Sequence, residues 1–443
     1  MPSGEPAPVG QETKYSEKDR LIMERRNNES KASVASDQVL MRMASRREDK
    51  IHDKLSKIQK ASTSASPSRP NPTVVAGRPT GEHASMTVNP GKARSMFLVV
   101  SFCEGRHNDA IYEVKFKRRC RGEVFDDDMG REAAPLLEPL AKFSNMYFLQ
   151  SASISSKIYL LQQDTNDESS WPSPARSLGG YVFDTETRAV IPSIPPTIAT
   201  KPMANVVSAN GKLYYLASPH WSRSIYPDDP CFERYDPNLE VWESMPPFPS
   251  YDDFFGMEIT GYAVCYGVVL FSLCNVDNWN SKVLAFHESR KGKEWNHVEV
   301  NTSTYAPFHG RAVVVGETIY ALNRRSEEEI MAFSFRMDKG DDGGVAYSLR
   351  KLFKLRGLKI ASPPLPFHLC RTEYLVHLGN HDFCHVKTGT CKAPRHVQYL
   401  CITTFQIVVG KRGRHMIKTL HSTVRSVDLM GNGWFELGLC FTP

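Results

Sequence analysis

One phrase recurs along this chain at intervals of about 50 residues, and it restricts the fold more than any other feature. Cys231 to Pro249 reads CFERYDPNLEVWESMPPFP, and Gly179 to Pro196 reads GGYVFDTETRAVIPSIPP. Each is preceded by an apolar run, a short turn and a second apolar run: ANVVSANGKLYYL before the Cys231 phrase, YFLQSASISSKIYLL before the Gly179 phrase. GYAVCYGVVLFSL and GRAVVVGETIYAL follow the same plan. The anchors after the turn are Tyr159, Tyr214, Leu270 and Tyr320, spaced by 55, 56 and 50 residues. A period near 50 with about four short strands per unit is the signature of a propeller blade.

Each unit reads as four strands. The first is apolar throughout, as expected of a strand buried on both faces near a central axis. The second ends on the Ile-Tyr or Leu-Tyr pair. The third carries Phe183-Asp184 or Tyr235-Asp236, and the fourth carries Trp242 or Trp295 on the outside. Asp-Thr-Glu and Asp-Pro-Asn are tight-turn residues between strands three and four. Pro195-Pro196, Pro246-Pro247 and Pro363-Pro364 stop the outer strand and stiffen the crossing to the next unit. One such sheet cannot cover its own apolar faces, so the units must ring an axis. Units starting near residues 96, 146, 203, 260, 309 and 368 make six, the last closing with strands shared between the chain ends.

The unit resembles a kelch repeat, with CFERYDPNLEVWESMPPFP as its fullest copy. The wider chain, roughly residues 96–441, resembles plant kelch-type proteins with a galactose-oxidase-like β-propeller, many of which carry an F-box. QYLCITTFQIVVG and GWFELGLCF resemble the closing section of that group. The kelch double glycine after strand two is replaced by Gln162-Gln163, Ala217-Ser218 and Asn323-Arg324, while Gly179-Gly180 stands before strand three. The F-box start L-P-x-[DE] is absent from residues 1–94. The expected fold is all-β: a kelch-like propeller over 95–443, preceded by a charged, partly helical arm at 1–60 and a disordered Ser/Pro-rich linker at 61–94.

Charge sits unevenly. Residues 1–94 hold 17 Lys and Arg against 11 Asp and Glu, which accounts for the whole formal charge of +6. The body is therefore neutral and offers no composition argument for nucleic acid. In the arm, ERRNNESKAS resembles a basic-zipper contact region, but no sustained heptads follow. A nuclear regulator touching nucleic acid through this arm is one alternative reading; a solvated charged arm is the bland one. No window reaches 18 consecutive apolar residues, so no transmembrane helix and no membrane partner are expected. The N-terminus has no signal-peptide pattern. Ten irregularly spaced cysteines then read as reduced thiols, placing the protein in the cytoplasm, the nucleus or both.

Chemistry-bearing patterns are sparse. His381, Cys384, Cys391 and His396 are zinc-ligand types, yet their spacing matches no zinc module, and adjacent Cys384 and His385 would face opposite sides of a strand. No G-x-S-x-G elbow and no Walker loop is present. A metal-dependent enzyme of the galactose-oxidase-like class is a second alternative, carried by fold name alone. No catalytic, metal or cofactor residue is assigned. The long loops between strands two and three bring Trp171, Arg176, Trp221, Arg223, Tyr226 and Trp279 towards one rim, and Trp, Tyr and Arg dominate protein interfaces. The leading expectation is thus a non-catalytic module that recruits another protein through these rim loops. The resemblance adds substrate recognition for a ubiquitin ligase as a context.

Overall fold

The computed structural model describes residue 94 onward, apart from 104–107, 117–133, 145–147, 164–176, 200, 202–203, 218, 220–230, 249–253, 255–256, 276–279, 290–291, 302–305, 324–328, 340–344, 368, 392–395 and 411–412. The expected arm, and the linker up to Arg94, lie outside the described residues. All 25 named elements are strands. No helix among the described residues is long and apolar enough to cross a membrane.

The strands form successive four-stranded meanders. The first contains β1 (Arg94–Cys103), β2 (Asn108–Phe116) and β3 (Pro139–Ser144). The second contains β4 (Phe148–Ile154), β5 (Lys157–Gln163), β6 (Ser177–Asp184) and β7 (Val190–Ile194). The third contains β8 (Asn205–Ala209), β9 (Lys212–Leu216), β10 (Phe232–Asp236) and β11 (Val241–Ser244). The fourth contains β12 (Met257–Cys265), β13 (Val268–Asn275), β14 (Ser281–Ser289) and β15 (Gly292–Asn301). The fifth opens on an interrupted strand, β16 (Gly310–Arg311) and β17 (Val313–Val315), then β18 (Thr318–Leu322), β19 (Ile330–Lys339) and β20 (Val345–Leu355). The sixth contains β21 (Leu369–Gly379), β22 (Asp382–Thr390), β23 (Val397–Val409) and β24 (His415–Asp428), and β25 (Trp434–Phe441) follows.

β25 does not extend the sixth sheet. It pairs antiparallel with β1, from Phe97↔Phe441 to Cys103↔Trp434, and supplies the innermost strand of the first sheet. The chain ends therefore close the first unit, where the sequence pointed to the last. The fourth and fifth meanders merge into one nine-stranded sheet, joined at their outer edges by β15–β20 and at the axis by β12–β16, both parallel.

Both faces of each sheet are apolar, because alternate residues serve different neighbours. On β5, Ile158 and Leu160 pack towards the first sheet while Tyr159 and Leu161 pack towards the third. On β9, Leu213 and Tyr215 face the second sheet and Tyr214 and Leu216 face the fourth. The same division continues between the fourth and fifth sheets, the fifth and sixth, and the sixth and first. The apolar layers thus close a ring, and the body is an all-β propeller.

The repeated phrase folds into repeated geometry. Asp184 Oδ1 accepts the Glu186 and Thr187 N–H groups, and Asp236 Oδ1 accepts that of Asn238. The fifth residue of each turn, Arg188 (φ 62°) and Glu240 (φ 55°), takes the left-handed conformation and donates its N–H to the first residue's carbonyl at 2.8 Å. The outer-strand tryptophans act alike. Trp242 Nε1 donates to the Pro195 carbonyl (2.9 Å), and Trp295 Nε1 donates to the Pro246 carbonyl (3.0 Å). Each tryptophan therefore fastens the proline exit of the preceding unit. Gly179 and Gly180 lie within β6 rather than before it. A Cβ at Gly180 would stand 2.1 Å from the Leu160 carbonyl oxygen, so that approach of β5 to β6 requires glycine.

Candidate functional site at the propeller axis

The innermost strands surround the axis, and their carboxyl ends leave a cavity of about 440 Å³. Ser153 lies near the end of β4 and Ser155 just past it, Val264 lies near the end of β12, and Arg311 to Val314 span β16 and β17. Leu375 to His377 contribute from β21, and Cys440 and Phe441 from β25. Thr442 and Pro443 complete the lining.

Glycine sets the position of Arg311. A Cβ at Gly261 would lie 2.3 Å from the Gly310 carbonyl oxygen, so only glycine lets β12 and β16 approach this closely. The resulting register pairs Gly261 with Gly310 and Tyr262 with Arg311, and the Ala312 N–H donates to the Tyr262 carbonyl at 2.7 Å. Arg311 is consequently held on the axis, half-buried. Its Nη1 donates to Ser153 Oγ at 3.4 Å, and among the described residues no carboxylate pairs with it. His377, at the same cavity, donates Nε2–H to the Asn380 carbonyl at 2.9 Å and tilts against Phe383.

Two carboxylates stand on neighbouring inner strands. Burial would raise Glu373, but the His385 hydrogen bond (3.1 Å) and the positive side chains beside it, Lys387 at 3.6 Å among them, outweigh burial and hold its carboxyl below the ordinary value. Glu436 on β25 is raised, because burial opposes its charge. The two should tilt the pH dependence of stability in opposite directions. Glu373, depressed in the fold, adds stability above the ordinary glutamate range that is lost as pH falls through its folded value. Glu436, raised in the fold, costs nothing at low pH and destabilises as pH rises above the ordinary range. Urea midpoints should show Glu373→Gln less stable than wild type at pH 7 and converging with it as pH falls through the folded value of Glu373. Glu436→Gln should be more stable at pH 7 and likewise converge in acid.

The residues singled out from the sequence fall elsewhere. Trp171, Arg176, Trp221, Arg223, Tyr226 and Trp279 all lie outside the described residues. His381 and His396 are exposed, while Cys384 is buried between the sixth and first sheets, its thiol raised by burial. Cys391 Sγ contacts the Leu365 carbonyl at 3.8 Å. His385 turns to the opposite face from Cys384, towards Glu373, as strand alternation requires. Among the described residues no three His, Cys, Asp or Glu side chains gather as a metal site. Eight cysteines, Cys103, Cys231, Cys265, Cys274, Cys384, Cys391, Cys401 and Cys440, are free thiols, and five of them are buried. Arg311 and Ser153 escaped sequence reading because each looks like an ordinary strand residue. The one available signal was an arginine opening the otherwise apolar run RAVVVGETIYAL.

Solved structures with similar folds include YjhT, at 10% identity over 73% of this chain and 97% of that one, with a TM-score of 0.37. An α-L-arabinanase from Penicillium chrysogenum, complexed with arabinobiose, is 10% identical over 77% of this chain and all of its own, with a TM-score of 0.30. A GH43 β-xylosidase/α-arabinofuranosidase from a compost microbial metagenome is 13% identical over 57% of this chain and 95% of its own, with a TM-score of 0.27. Enzymes predominate among these structures. On that finding the expectation of a non-catalytic recruitment module, without enzyme activity, is corrected, and no substrate of theirs passes to this chain. No curated protein matches the chain. Residues 93–424 match a family described as "Protein of unknown function (DUF1668)", and that span, three quarters of the sequence and nearly all of the propeller, makes the chain a member of the DUF1668 family.

Proposed function

We propose that the axial cavity binds a small organic anion, with Arg311 as its anchor. One observation carries this reading: a guanidinium faces a cavity of about 440 Å³ with a serine hydroxyl, and no carboxylate among the described residues, as its partner. A buried or half-buried cation usually pairs with a carboxylate, because an uncompensated charge away from water is costly. Buried and half-buried cations elsewhere show that habit: Arg234 pairs with Glu243 and Glu288, and Lys201 pairs with Glu233. Arg311 departs from it where a cavity lies open beside it. A volume of this size falls within the usual range of small-molecule sites.

Equilibrium binding of small carboxylates, phosphates and sulfates to the full chain tests the reading. Replacing Arg311 by methionine should weaken whichever anion binds by about 10- to 100-fold, the usual span for a lost charge-assisted hydrogen bond. Equal binding to wild type and Arg311→Met would remove the anion site.

The finer architectural reading belongs here too. We read the six meanders as kelch-type blades. Support comes from the Tyr-Asp-Pro turn with its left-handed fifth residue, and from the tryptophan that grips the previous unit's proline exit.

A further inference from the structure

We infer that the cavity's ligand is an amphipathic monocarboxylate, its carboxylate on Arg311 and Ser153 and its apolar body along Val264, Val313 and Val314. This rests on the reading of the cavity as an anion site.

Among the described residues Arg311 is the one Lys or Arg in the lining. His377 spends its Nε2–H on the Asn380 carbonyl, so that donor is already engaged within the protein. One guanidinium matches the two oxygens of one carboxylate in a fork geometry. A phosphate monoester or a dicarboxylate would bring a second negative charge with no counter-ion, and its desolvation would be uncompensated.

A second donor stands beside the guanidinium. Ser153 Oγ accepts the Arg311 N–H, which leaves the serine's own O–H to be donated. A carboxylate between the two would take both. Ser153 is itself buried, so this donor is fixed in place by β4 and is not a mobile surface hydroxyl.

Leu375, Cys440 and Phe441 are buried in the inter-sheet layers where these reach the cavity. Val264, Val313 and Val314 line it too, each partly buried against a different inter-sheet layer. The apolar surface that these three leave uncovered at the cavity gains by contact with hydrocarbon, through the ordinary hydrophobic effect.

Calorimetric titration of the full chain should separate the parts, using octanoate, acetate, 1-octanol, octanedioate, octyl phosphate and inorganic phosphate. Octanoate is expected to bind at least ten-fold more tightly than each of the other five. Arg311→Met should weaken that binding by about 10- to 100-fold, and Ser153→Ala should weaken it several-fold. The serine variant keeps the test open if the arginine variant fails to fold. Octyl phosphate, octanedioate or inorganic phosphate binding as tightly as octanoate, and losing affinity in the Arg311 and Ser153 variants, would overturn the monocarboxylate while leaving the anion site standing. Octanoate binding unchanged by either substitution, or no binding by any of the six, would overturn both.

Discussion

Replacing Lys201 with methionine should destabilise the propeller by about 3–5 kcal/mol, the usual cost of removing one partner from a buried ion pair. Lys201 lies in the crossing between β7 and β8, and Glu233 lies on β10; both side chains are 0% exposed. Glu233 accepts the lysine ammonium together with the N–H groups of Ile198 and Ala199, each at 2.9 Å. Lys201 also donates to the Ala199 carbonyl (3.3 Å) and lies 4.9 Å over the Tyr215 ring. The pair therefore folds the crossing segment onto the third sheet. Without Lys201 the carboxylate keeps two neutral donors and loses its counter-charge. Urea unfolding followed by circular dichroism would read the effect. The double variant Lys201→Met/Glu233→Met should recover part of the loss, because no lone charge is then buried, but two backbone N–H groups stay unsatisfied. A Lys201→Met midpoint equal to wild type would show that the two charges are not sealed from water.

Trp295→Ala should cost a similar amount, about 3–5 kcal/mol, as large aromatic deletions in packed sites do. The indole stacks on Phe248 at 4.4 Å and meets Phe286, Phe232 and Phe271 at 5.0, 5.2 and 5.6 Å. Its N–H holds the Pro246 carbonyl, so one side chain both fills the layer between the third and fourth sheets and fixes the crossing between them. Trp295→Phe separates the two roles. It keeps most of the aromatic contact and removes the hydrogen bond, for an expected loss of about 1 kcal/mol. Trp242 has the same hydrogen bond to Pro195 but, among the described residues, just Tyr215 and Tyr235 as ring neighbours, so Trp242→Ala should be the milder of the two alanine variants. The reverse order would mean that the hydrogen-bonded exit, rather than the aromatic layer, dominates.

The axial cavity and the inter-sheet layers have different origins in the chain. Tyr159 and Tyr214 hold the same place in successive units, as do Trp242 and Trp295, and repetition is visible as soon as two copies are set side by side. Arg311, Ser153 and Glu373 come from separate units and are not repeated. Nothing in the local sequence of any one of them names the other two.

What the amino-acid sequence by itself determined was the unit: four strands, their turns, the apolar faces and the proline exits. Those features follow from short-range rules of alternation, turn chemistry and the fixed φ of proline. The first strand of the second to sixth units was legible to within a few residues, from Phe148 to Leu369, while that of the first unit, β25, was not. The tertiary structure alone decided how the ring closes, because β25 can complete either the first or the last sheet until the register Phe97↔Phe441 is formed. It alone decided that Gly261 and Gly310 touch, and so where Arg311 stands. It alone sealed Lys201 against Glu233. Each of these is a contact between residues far apart in the chain, and a charged side chain carries no local sign of whether folding will leave it in water, give it a partner, or set it facing an empty space.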